Sequence, residues 1–489
     1  MAEADLLASR REKLQRLRAA GVEPYPYGFA RTHAAAELRR SFPDLSRHTR
    51  TGAVVSLAGR LTAIRRMGKA SFADLLDQTG RVQIFLSADG LGAPAYANFL
   101  ENLDIGDILG IRGEVFTTRT GELTVDAREV VLLAKSLRPL PEKWHGLKDV
   151  ETRYRQRALD LIANESSRRA LEKRALILRT MRNYLDGQGY LEVETPILQP
   201  IPGGATARPF VTHHNVLDRD LYLRIAPELY LKRLLVGGLE KVYEIGRNFR
   251  NEGISSEHNP EFTALEAYEA YGDYQRAMEL CEGLIEACAL AVAGGLRLEY
   301  QGRAVNLARP WRRASLLELV AEGSGCDVEK PLAELVRELD RRGIPVPDHL
   351  RQGPKGKVIE HLLETRVQEK LWDPTFVLDF PLDISPLAKR KRGRPDLVER
   401  FELYLTGREI ANAFSELNDP HEQRERFLAQ EELRQAGDEE AQRVDEDFLR
   451  DLELGMPPAA GIGIGVDRLV MVLVDAPSIR EVLTFPLLR

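Results

Sequence analysis

The sequence predicts an α+β protein with two domains: a small N-terminal β-barrel, then a larger domain in which helices flank an antiparallel sheet. Its 489 residues are too many for one ordinary hydrophobic core. Short alternating apolar runs fill residues 54–137, and helical patterns mixed with two long hairpins fill most of the remainder. We therefore divide the chain into an N-terminal helix (residues 1–22), a barrel (23–142), a linker (143–160) and a large domain (161–489).

The composition is typical of a soluble globular protein, with 43% apolar and 29% charged residues. The net charge of −6 gives no bulk indication of a nucleic-acid partner, so any such surface must be local. The three cysteines form no C-x-x-C pair, which argues against a zinc knuckle or a disulfide framework and fits a reducing cytoplasm. The apolar runs are too short for a membrane span, and the acidic N-terminus lacks a secretory apolar core, so we expect no membrane partner.

The first predicted elements are an amphipathic helix and a barrel. Residues 4–20 place leucines on one side among basic residues, a face that is either solvated or able to lie along a nucleic-acid backbone. The runs that follow are VVSLAGRLTAIRR, ASFADLLD, RVQIFLS, DILGIRGEVFTT and GELTVDAREVVLLA. Five short strands that close on themselves predict an OB-type barrel, a fold that stacks single-stranded bases on aromatic rings. Phe72 follows a basic stretch, but by itself it fits a core position better than a stacking platform.

The large domain begins with a long helix and a strand. Residues 166–185 have a helical pattern and lead into YLEVETPIL, a strand that meets Pro196. A short helix is predicted over residues 227–236, with Glu228 in the first turn, where the helix dipole favours a carboxylate. Residues 297–375 form a mixed region in which we find no chemistry. The basic run KRKRGR at 389–394 is either a solvated loop or a contact for RNA phosphates.

The densest set of functional side chains lies in a predicted hairpin, with strands at 242–252 and 260–271 around a Gly/Ser/Asn-rich turn. Side chains alternate between the two faces of a strand. Arg250 and Glu252 therefore share a face of the first strand, and Phe262, Glu266 and Tyr268 share a face of the second. A guanidinium, a flat ring, carboxylates and a phenol on one surface suit a ligand with a phosphate, a planar base and a cationic group. The set comprises Arg250, Glu252, Phe262, Glu266 and Tyr268.

A second predicted hairpin, ERFELYLTGREIANAFSELNDP, turns at Thr406-Gly407. Pairing across that turn makes Glu402 and Glu409 diagonal neighbours on one face, roughly 7–8 Å apart at their backbones. Two carboxylates at that spacing can share a divalent cation, and oxygen ligands suit magnesium. Simple alternation puts Asn412 and Glu416 on the opposite face. Beyond this hairpin, GIGIGVDR predicts a glycine-broken strand that runs into a helix, and Arg468 near that helix start makes an anion site.

The segments FRNEG, HNPEFT and LEAY of the first hairpin resemble the second signature motif of class II aminoacyl-tRNA synthetases, in the form found in bacterial lysyl-tRNA synthetases. GIGIGVDR resembles the third motif of that class. The helix at 166–185, the strand after it and Pro196 resemble the first motif, which builds the dimer interface. The resemblance runs from about Val54 to Arg489 and implies an OB-fold anticodon-binding domain, a class II catalytic domain and a homodimer.

The resemblance also implies roles for individual residues. The lysine-binding residues would be Gly204, Glu228, Arg250, Glu266, Tyr268, Asn412 and Glu416. The residues that contact ATP would be Arg250, Glu252, His258, Phe262 and Arg468, with Arg250 and Arg468 catalytic. Magnesium would bind Glu402 and Glu409, and the anticodon would contact Phe72, Gln83 and Glu122.

Two details of the second hairpin follow from that resemblance. The family uses residues matching Asn412 and Glu416 at the same site as Glu402 and Glu409, so we predict a β-bulge between Glu409 and Asn412 that resets the alternation. Ala413 stands where the family usually has glycine, a change that could narrow the pocket.

The activity that the resemblance implies is ATP-dependent ligation of L-lysine to the 3′ end of tRNA(Lys), through a lysyl-adenylate and with Mg²⁺ as cofactor. Charge supports lysine, because a pocket with Glu266, Glu416 and Tyr268 suits a long cationic side chain. One alternative is a lysine ligase that acts on a protein, elongation factor P; such enzymes resemble the catalytic domain alone, so the barrel argues against it. The other is a non-catalytic RNA-binding paralogue, which should have lost phosphate or metal residues, and none is missing.

Overall fold

The computed structural model describes residues 3–140, 147 and 149–488. The chain forms two compact units, residues 1–148 and 149–489. Residues 141–146 and 148, around the start of the predicted linker, lie outside the described residues. None of the helices in the described part of the chain is both long enough and apolar enough to cross a membrane.

The first unit is a closed five-stranded barrel with strand order β1-β2-β3-β5-β4, as the alternating runs predict. Its elements are α1 (Glu3–Ala19), α2 (Ala35–Ser41), β1 (Arg50–Met67), β2 (Ala70–Asp77), β3 (Gly80–Ser87), α3 (Ala88–Leu91), α4 (Ala93–Asn102), β4 (Ile108–Thr117) and β5 (Leu123–Ala134). Helix α1 packs Leu17 into the barrel core. Arg10 on the same helix is buried and donates hydrogen bonds of 3.0 Å to the carbonyl oxygens of Ile105, Ser136 and Arg138, so part of the basic face of α1 serves to hold the barrel.

The second unit is built on one large sheet with helices against it. Its helices are α5 (Val150–Arg155), α6 (Arg157–Ala163), α7 (Glu165–Gly187), α8 (Glu228–Val236), α9 (Tyr274–Ala293), α10 (Leu316–Ser324), α11 (Leu332–Arg341), α12 (Lys355–Leu362), α13 (Pro420–Gln435), α14 (Glu446–Glu453), α15 (Val466–Leu473) and α16 (Ile479–Val482). The strands before the second hairpin are β6 (Leu191–Glu192), β7 (Leu198–Gln199), β8 (Val211–His214), β9 (Arg219–Leu223), β10 (Lys241–Phe249), β11 (Glu261–Ala270), β12 (Arg297–Tyr300), β13 (Arg303–Asn306), β14 (Arg312–Ser315) and β15 (Thr375–Leu378). The later strands are β16 (Arg390–Lys391), β17 (Arg394–Val398), β18 (Arg400–Leu405), β19 (Arg408–Ser415) and β20 (Ala459–Gly465).

The large sheet has eight strands in the order β14-β15-β18-β19-β20-β11-β10-β6, and it is mostly antiparallel. Alternate residues of its central strands point into a core shared with α7, α9 and α15, and that core includes Leu265, Leu403, Ala413 and Ile462. Each large apolar side chain buried in such a core contributes about 1.5–3 kcal/mol. Because side chains alternate, the opposite face of the same strands is free to carry polar groups. Ala413 lies on the core face, so the expectation that it narrows the pocket is wrong.

Residues 297–375, in which the sequence shows no chemistry, have a structural role. Strands β14 and β15 from this region and its flank extend the edge of the large sheet through a parallel pair. Helices α10, α11 and α12 form a separate apolar cluster around Leu316, Leu335 and Val358. The region therefore completes the sheet and adds a second core beside it.

The segment YLEVETPIL was predicted as a strand that meets Pro196. In the structure it contributes to two short strands, β6 and β7, which lie on either side of that proline. Pro196 lacks a backbone N–H, which removes one donor from any strand ladder. Strand β6 pairs in parallel with β10 at the sheet edge. Leu191, Ile197 and Leu198 in this segment are exposed in the single chain.

Candidate active site

The polar face of the large sheet carries side chains in rows that cross several strands. One row is formed by directly paired residues and runs Glu244, Glu266, Gly463, Asn412, Glu402. The next row on the same face runs Val242, Tyr268, Gly461, Phe414, Arg400. Strand β20 contributes only glycine to both rows. The middle of this face therefore carries no side chains and forms a floor with functional groups on both sides. A cavity of about 530 Å³ opens over it.

The predicted β-bulge in the second hairpin is present. Leu405 pairs with Arg408 and Tyr404 with Glu409, but Leu403 pairs with Ala411, so Ile410 is the extra residue. The shift brings Glu402 directly opposite Asn412 and places both side chains on the cavity face. Without it, Asn412 would point into the apolar core, and Ala411 and Ala413 would face the cavity.

The first hairpin differs from the prediction at its ends. Strand β10 ends at Phe249, so Arg250 and Glu252 lie in the connecting loop and strand alternation cannot assign their faces. The loop instead turns tightly, because the N–H of Glu252 donates to the carbonyl of Arg250 at 2.9 Å, and the N–H of Arg250 donates to the carbonyl of Pro260 at 2.9 Å. Both side chains nevertheless line the cavity, and the Arg250 guanidinium lies 5.1 Å from the centre of the Phe262 ring.

Three buried carboxyl groups surround one part of the cavity, which we call the acidic end: Glu228 on α8, Glu266 on β11 and Glu416 just after β19. Burial first, and the nearby Glu228 second, raise the pKa of Glu266 to about 8. The Tyr268 hydroxyl donates to Glu266 at 3.1 Å, and burial raises the pKa of Tyr268 so that it stays a neutral donor. Such a cluster of acids is costly unless a cation joins it.

Glu416 lies against the wall of the cavity and not in its lining. Its Oε1 is so close to Gly461 that a Cβ at this glycine would come within 1.9 Å of it, and within 2.5 Å of Tyr268. Oε1 of Glu416 has no hydrogen-bond donor among the described residues. Gly461 is therefore required for the acidic end to close around Glu416.

Sequence reasoning missed Lys232, whose buried ammonium bridges two of these acids. It lies 2.8 Å from Glu228 Oε1 and forms a short ion pair with Glu416 Oε2. Lys232 follows Glu228 by four residues on α8, so the two share one helix face. That i, i+4 spacing was the available signal, but the partner Glu416 is far away in the sequence.

The opposite part of the cavity, the arginine-paired end, contains Arg400, Glu402, Glu409 and Arg468. Glu402 accepts hydrogen bonds from Arg400 at 2.6 Å and from the Tyr404 hydroxyl at 2.8 Å. Burial first, then repulsion from Glu409, raise the pKa of Glu402 to about 7 despite Arg400. Two acids that repel each other on one face fit a shared divalent cation, which would stabilise both as carboxylates.

Arg400 was also missed by sequence reasoning. It lies two residues before Glu402 on the same face of β18, and its Nε donates to Asn412 Oδ1 at 3.1 Å. This contact turns the amide of Asn412 so that its NH₂ group remains available as a donor. Spacing of two along a strand was the signal for Arg400, but only with the register known.

Arg468 is positioned by the start of helix α15. The preceding Asp467 accepts a hydrogen bond of 2.8 Å from the backbone N–H of Thr263, which ties α15 to β11. Arg468 donates to the Glu409 carboxylate at 3.3 Å and contacts His258 Nε2 at 3.0 Å. Burial, followed by the Arg468 charge, lowers the pKa of His258, so its ring is neutral and Nε2 accepts from Arg468.

Gly204 completes the cavity at the acidic end. Its φ of 86° is a conformation that favours glycine, and a Cβ there would come within 2.9 Å of the Glu228 side chain. The loop can therefore pass close to Glu228 only with glycine at this position.

The three predicted anticodon residues lie on neighbouring elements of the barrel. Phe72 on β2 pairs with Phe85 on β3, and their rings lie 5.1 Å apart. Gln83, two residues before Phe85, pairs with Thr124 on β5 and accepts its hydroxyl at 3.0 Å, while Glu122 is exposed just before β5. Phe72 is half-buried on the outer face of the barrel and is not part of its apolar core.

Sequence reasoning did not single out Phe85 and Phe116, which extend Phe72 into a line of three rings. The rings of Phe85 and Phe116 lie 6.1 Å apart. Alternation along β3 and β4 was compatible with this line, but the pairing that brings the rings together could not be read from the sequence.

Comparison with known proteins agrees with both units. Residues 149–489 match the model of the family described as tRNA synthetases class II (D, K and N), and residues 55–133 match that of the OB-fold nucleic acid binding domain. A lysine–tRNA ligase of Moorella thermoacetica is 55% identical over 490 aligned residues, covering 100% of this chain and 98% of the relative. That of Pelotomaculum thermopropionicum is 54% identical, with 99% and 95% covered, and that of Nostoc punctiforme is 50% identical, with 100% and 88% covered. The chain therefore belongs to the class II tRNA synthetases, and within them to the lysyl-tRNA synthetase family.

Proposed function

We propose that this protein ligates L-lysine to the 3′ end of tRNA(Lys) in two steps, with ATP as co-substrate and a lysyl-adenylate as intermediate. The observation that carries the proposal is the acidic end of the cavity. Glu228, Glu266 and Glu416 provide three buried carboxyl groups, and a substrate with two ammonium groups supplies the cations they need. Aspartate or asparagine, the substrates of the other members of this class II group, would require a cationic or donor residue in the same place.

The positions of the proposed lysine-binding residues support a role for each of them. Glu228, beside Gly204, would hold the α-ammonium group, and Glu266 and Glu416 would hold the ε-ammonium group with Tyr268 between them. The substrate carboxylate would be bound by Arg250 and by the NH₂ group of Asn412, which Arg400 orients. Arg250 Nε is buried without an acceptor among the described residues, so it is available for an anion.

The nucleotide would occupy the rest of the cavity. Phe262 offers a ring face for the adenine, Glu252 an acceptor for its amino group, and Arg250 a positive charge for the α-phosphate. Arg468 and His258, which contact each other in the free protein, would turn to the γ-phosphate. Catalysis of an in-line displacement at phosphorus requires positioning and fixed positive charge more than a nucleophile from the protein.

Glu402 and Glu409 would hold Mg²⁺ with phosphate oxygens completing its coordination. Their oxygen atoms and their mutual repulsion fit this ion, and no group of three or more His, Cys, Asp or Glu side chains suited to a metal occurs in the described part of the chain. When bound, the ion would withdraw charge from the β- and γ-phosphate oxygens as pyrophosphate leaves. Arg400 and Tyr404 keep Glu402 fixed in the cavity.

We also propose that Phe72, Gln83 and Glu122 read the anticodon, with Phe72 stacking on a base and the other two bonding to base edges. The exposed apolar segment around Leu191 and Leu198 would be covered in a homodimer. The expected location of the protein is the cytoplasm. We retain the domain boundaries at residues 22, 142 and 160 as part of this proposal.

The test is lysine-dependent exchange of radioactive pyrophosphate into ATP, repeated with aspartate and asparagine, then charging of tRNA(Lys). We expect exchange with lysine and aminoacylation of this tRNA. Exchange with aspartate or asparagine and none with lysine would contradict the assignment. Exchange with lysine but transfer only to a protein acceptor would favour a protein ligase, and an absence of exchange would favour a non-catalytic paralogue.

A further inference from the structure

Lys232 is completely buried and contacts the acidic end from behind. Its Nζ is 2.8 Å from Glu228 Oε1, forms a short ion pair with Glu416 Oε2, and lies 5.4 Å from the centre of the Phe414 ring. The stem of the side chain comes from the face of α8 that packs Leu231 and Leu235 into an apolar cluster. An ammonium in such surroundings is stabilised by its contacts with both carboxyl groups, and it also donates to the Leu387 carbonyl at 3.5 Å.

Lys232 does not line the cavity, although Glu228 does. A bound substrate therefore has no need to displace the Lys232 ammonium. One oxygen of Glu228 and one oxygen of Glu416 are directed to Lys232, which leaves Oε1 of Glu416 without a donor from the described residues. The contact thus fixes the rotation of both carboxyl groups relative to the floor of the cavity.

The charge of Lys232 also limits the repulsion between acids. Burial lowers the pKa of Lys232, but the two carboxylates outweigh burial and raise it, so the group stays an ammonium at neutral pH. Burial together with Glu228 and Glu266 raises the pKa of Glu416. Lys232 acts against that rise, so without its fixed ammonium the pKa of Glu416 would be higher still and the negative charge that a cationic substrate needs would be harder to form.

We propose that Lys232 is a positioning residue that determines specificity: its buried ammonium fixes the orientation of Glu228 and Glu416, so that the two ammonium groups of the amino-acid substrate find carboxyl groups already in place. This inference rests on the proposed lysine specificity. It adds that the carboxyl groups of Glu228 and Glu416, which select the substrate, are fixed by the buried ammonium of Lys232 outside the cavity. A substrate lysine is then recognised by acids that a second lysine, in the protein, has arranged.

The test compares Lys232→Met and Lys232→Ala with the wild-type chain in steady-state ATP–pyrophosphate exchange. Removing one partner of a buried charge pair should raise the KM for lysine by about 100-fold. The KM for ATP should change less than about threefold, because the arginine-paired end is untouched. Lys232→Ala leaves space for a small cation, so ethylammonium or propylammonium in the assay should lower the KM for lysine again, and neutral propanol should not.

Lys241→Met is the matched control, since Lys241 also forms a 2.8 Å ion pair, with Glu269, and lies 5.5 Å from the Tyr190 ring, but does not line the cavity. This control should leave both KM values within about twofold of wild type.

Parallel changes in the KM for lysine and ATP, or unchanged constants, would overturn the role. So would loss of activity in both Lys232 variants that alkylammonium ions do not restore, because that result indicates a structural residue only. Absence of lysine-dependent exchange in the wild-type chain would instead refute the proposed function itself.

Discussion

The two ends of the cavity contain acids in different surroundings. At the acidic end, three carboxyl groups have one ammonium, Lys232, in direct ion pairs with two of them. At the arginine-paired end, each acid has its own arginine: Arg400 contacts Glu402 at 2.6 Å, and Arg468 contacts Glu409 at 3.3 Å. Both ends lie on one face of one sheet.

The difference indicates what each end can bind. An excess of buried acid is relieved only by a cation from outside, so the acidic end selects the amino acid. Acids balanced by arginines can exchange those contacts for phosphate and a metal ion, so the arginine-paired end suits ATP. Substitutions should therefore separate lysine binding from ATP binding.

The largest effect is expected for Arg250, which is proposed to contact ligand groups at both ends. Arg250→Ala should lower kcat/KM for adenylate formation by about 10³-fold, because the charge that develops on the α-phosphate loses its donor. The measurement is pyrophosphate exchange with lysine and ATP varied below saturation, and Arg247→Ala, a half-exposed arginine of the same hairpin, is the control. A loss below tenfold would remove Arg250 from the reaction.

Glu416→Gln should raise the KM for lysine by about 100-fold, since an amide cannot neutralise a buried ammonium. The KM for ATP should change little. Steady-state exchange with each substrate varied in turn gives both constants, and equal increases in the two would contradict the separation of the ends.

Glu409→Gln should show the converse pattern. We expect the KM for ATP to rise about 30-fold, with partial recovery at high magnesium, while the KM for lysine stays near its wild-type value. Glu261→Gln, an exposed acid of the first hairpin, is the control. If magnesium titrations of Glu409→Gln and wild type coincide, Glu409 does not contribute to the metal site.

The pH dependence of lysine binding is, per pH unit, the smallest of these effects. The pKa of Glu266 is about 8 in the free protein, so this group is protonated below that pH, and a bound ammonium favours its ionised form. Lysine binding must then release a proton, and the KM for lysine should fall by about tenfold per unit as the pH rises from 6 to 8. Glu266→Gln should remove the slope.

The same raised pKa has an opposite consequence for the free fold. A carboxyl group that is buried as the neutral acid stabilises the fold below its ordinary pKa, and that contribution is lost as the pH rises through the folded value near 8. The stability difference between wild type and Glu266→Gln, measured by thermal unfolding without lysine, should therefore change as the pH rises from 4.5 to about 8. Parallel melting curves over this range would show that Glu266 is not buried as an acid.

The sequence predicted the elements of the fold well where the apolar pattern is regular. The barrel, the two hairpins and the helix α8 were found from periodicity, and the bulge at Ile410 was predicted because the family resemblance implies that four polar residues of this hairpin share one site. The ends of the first hairpin were wrong, because nothing in the alternation marks where backbone pairing stops.

The charged partners could not be predicted for a different reason. Lys232 meets Glu416 across a long stretch of chain, and Arg400 meets Asn412 only because of the bulged register. Contacts of this kind depend on tertiary structure, so a sequence with 69 basic and 75 acidic residues does not identify them. The residue types of the site were readable, but the way each charge is neutralised was not.

The most direct test of the central claim compares L-lysine with L-norleucine, which has the same chain length but no terminal ammonium, as substrates for pyrophosphate exchange. If the acidic end selects by charge, kcat/KM for norleucine should be lower by about 10⁴-fold, because Glu266 would be left without a cation and Glu416 with Lys232 alone. A ratio within about tenfold would show that the cavity selects by shape and that its three acids do not choose the substrate.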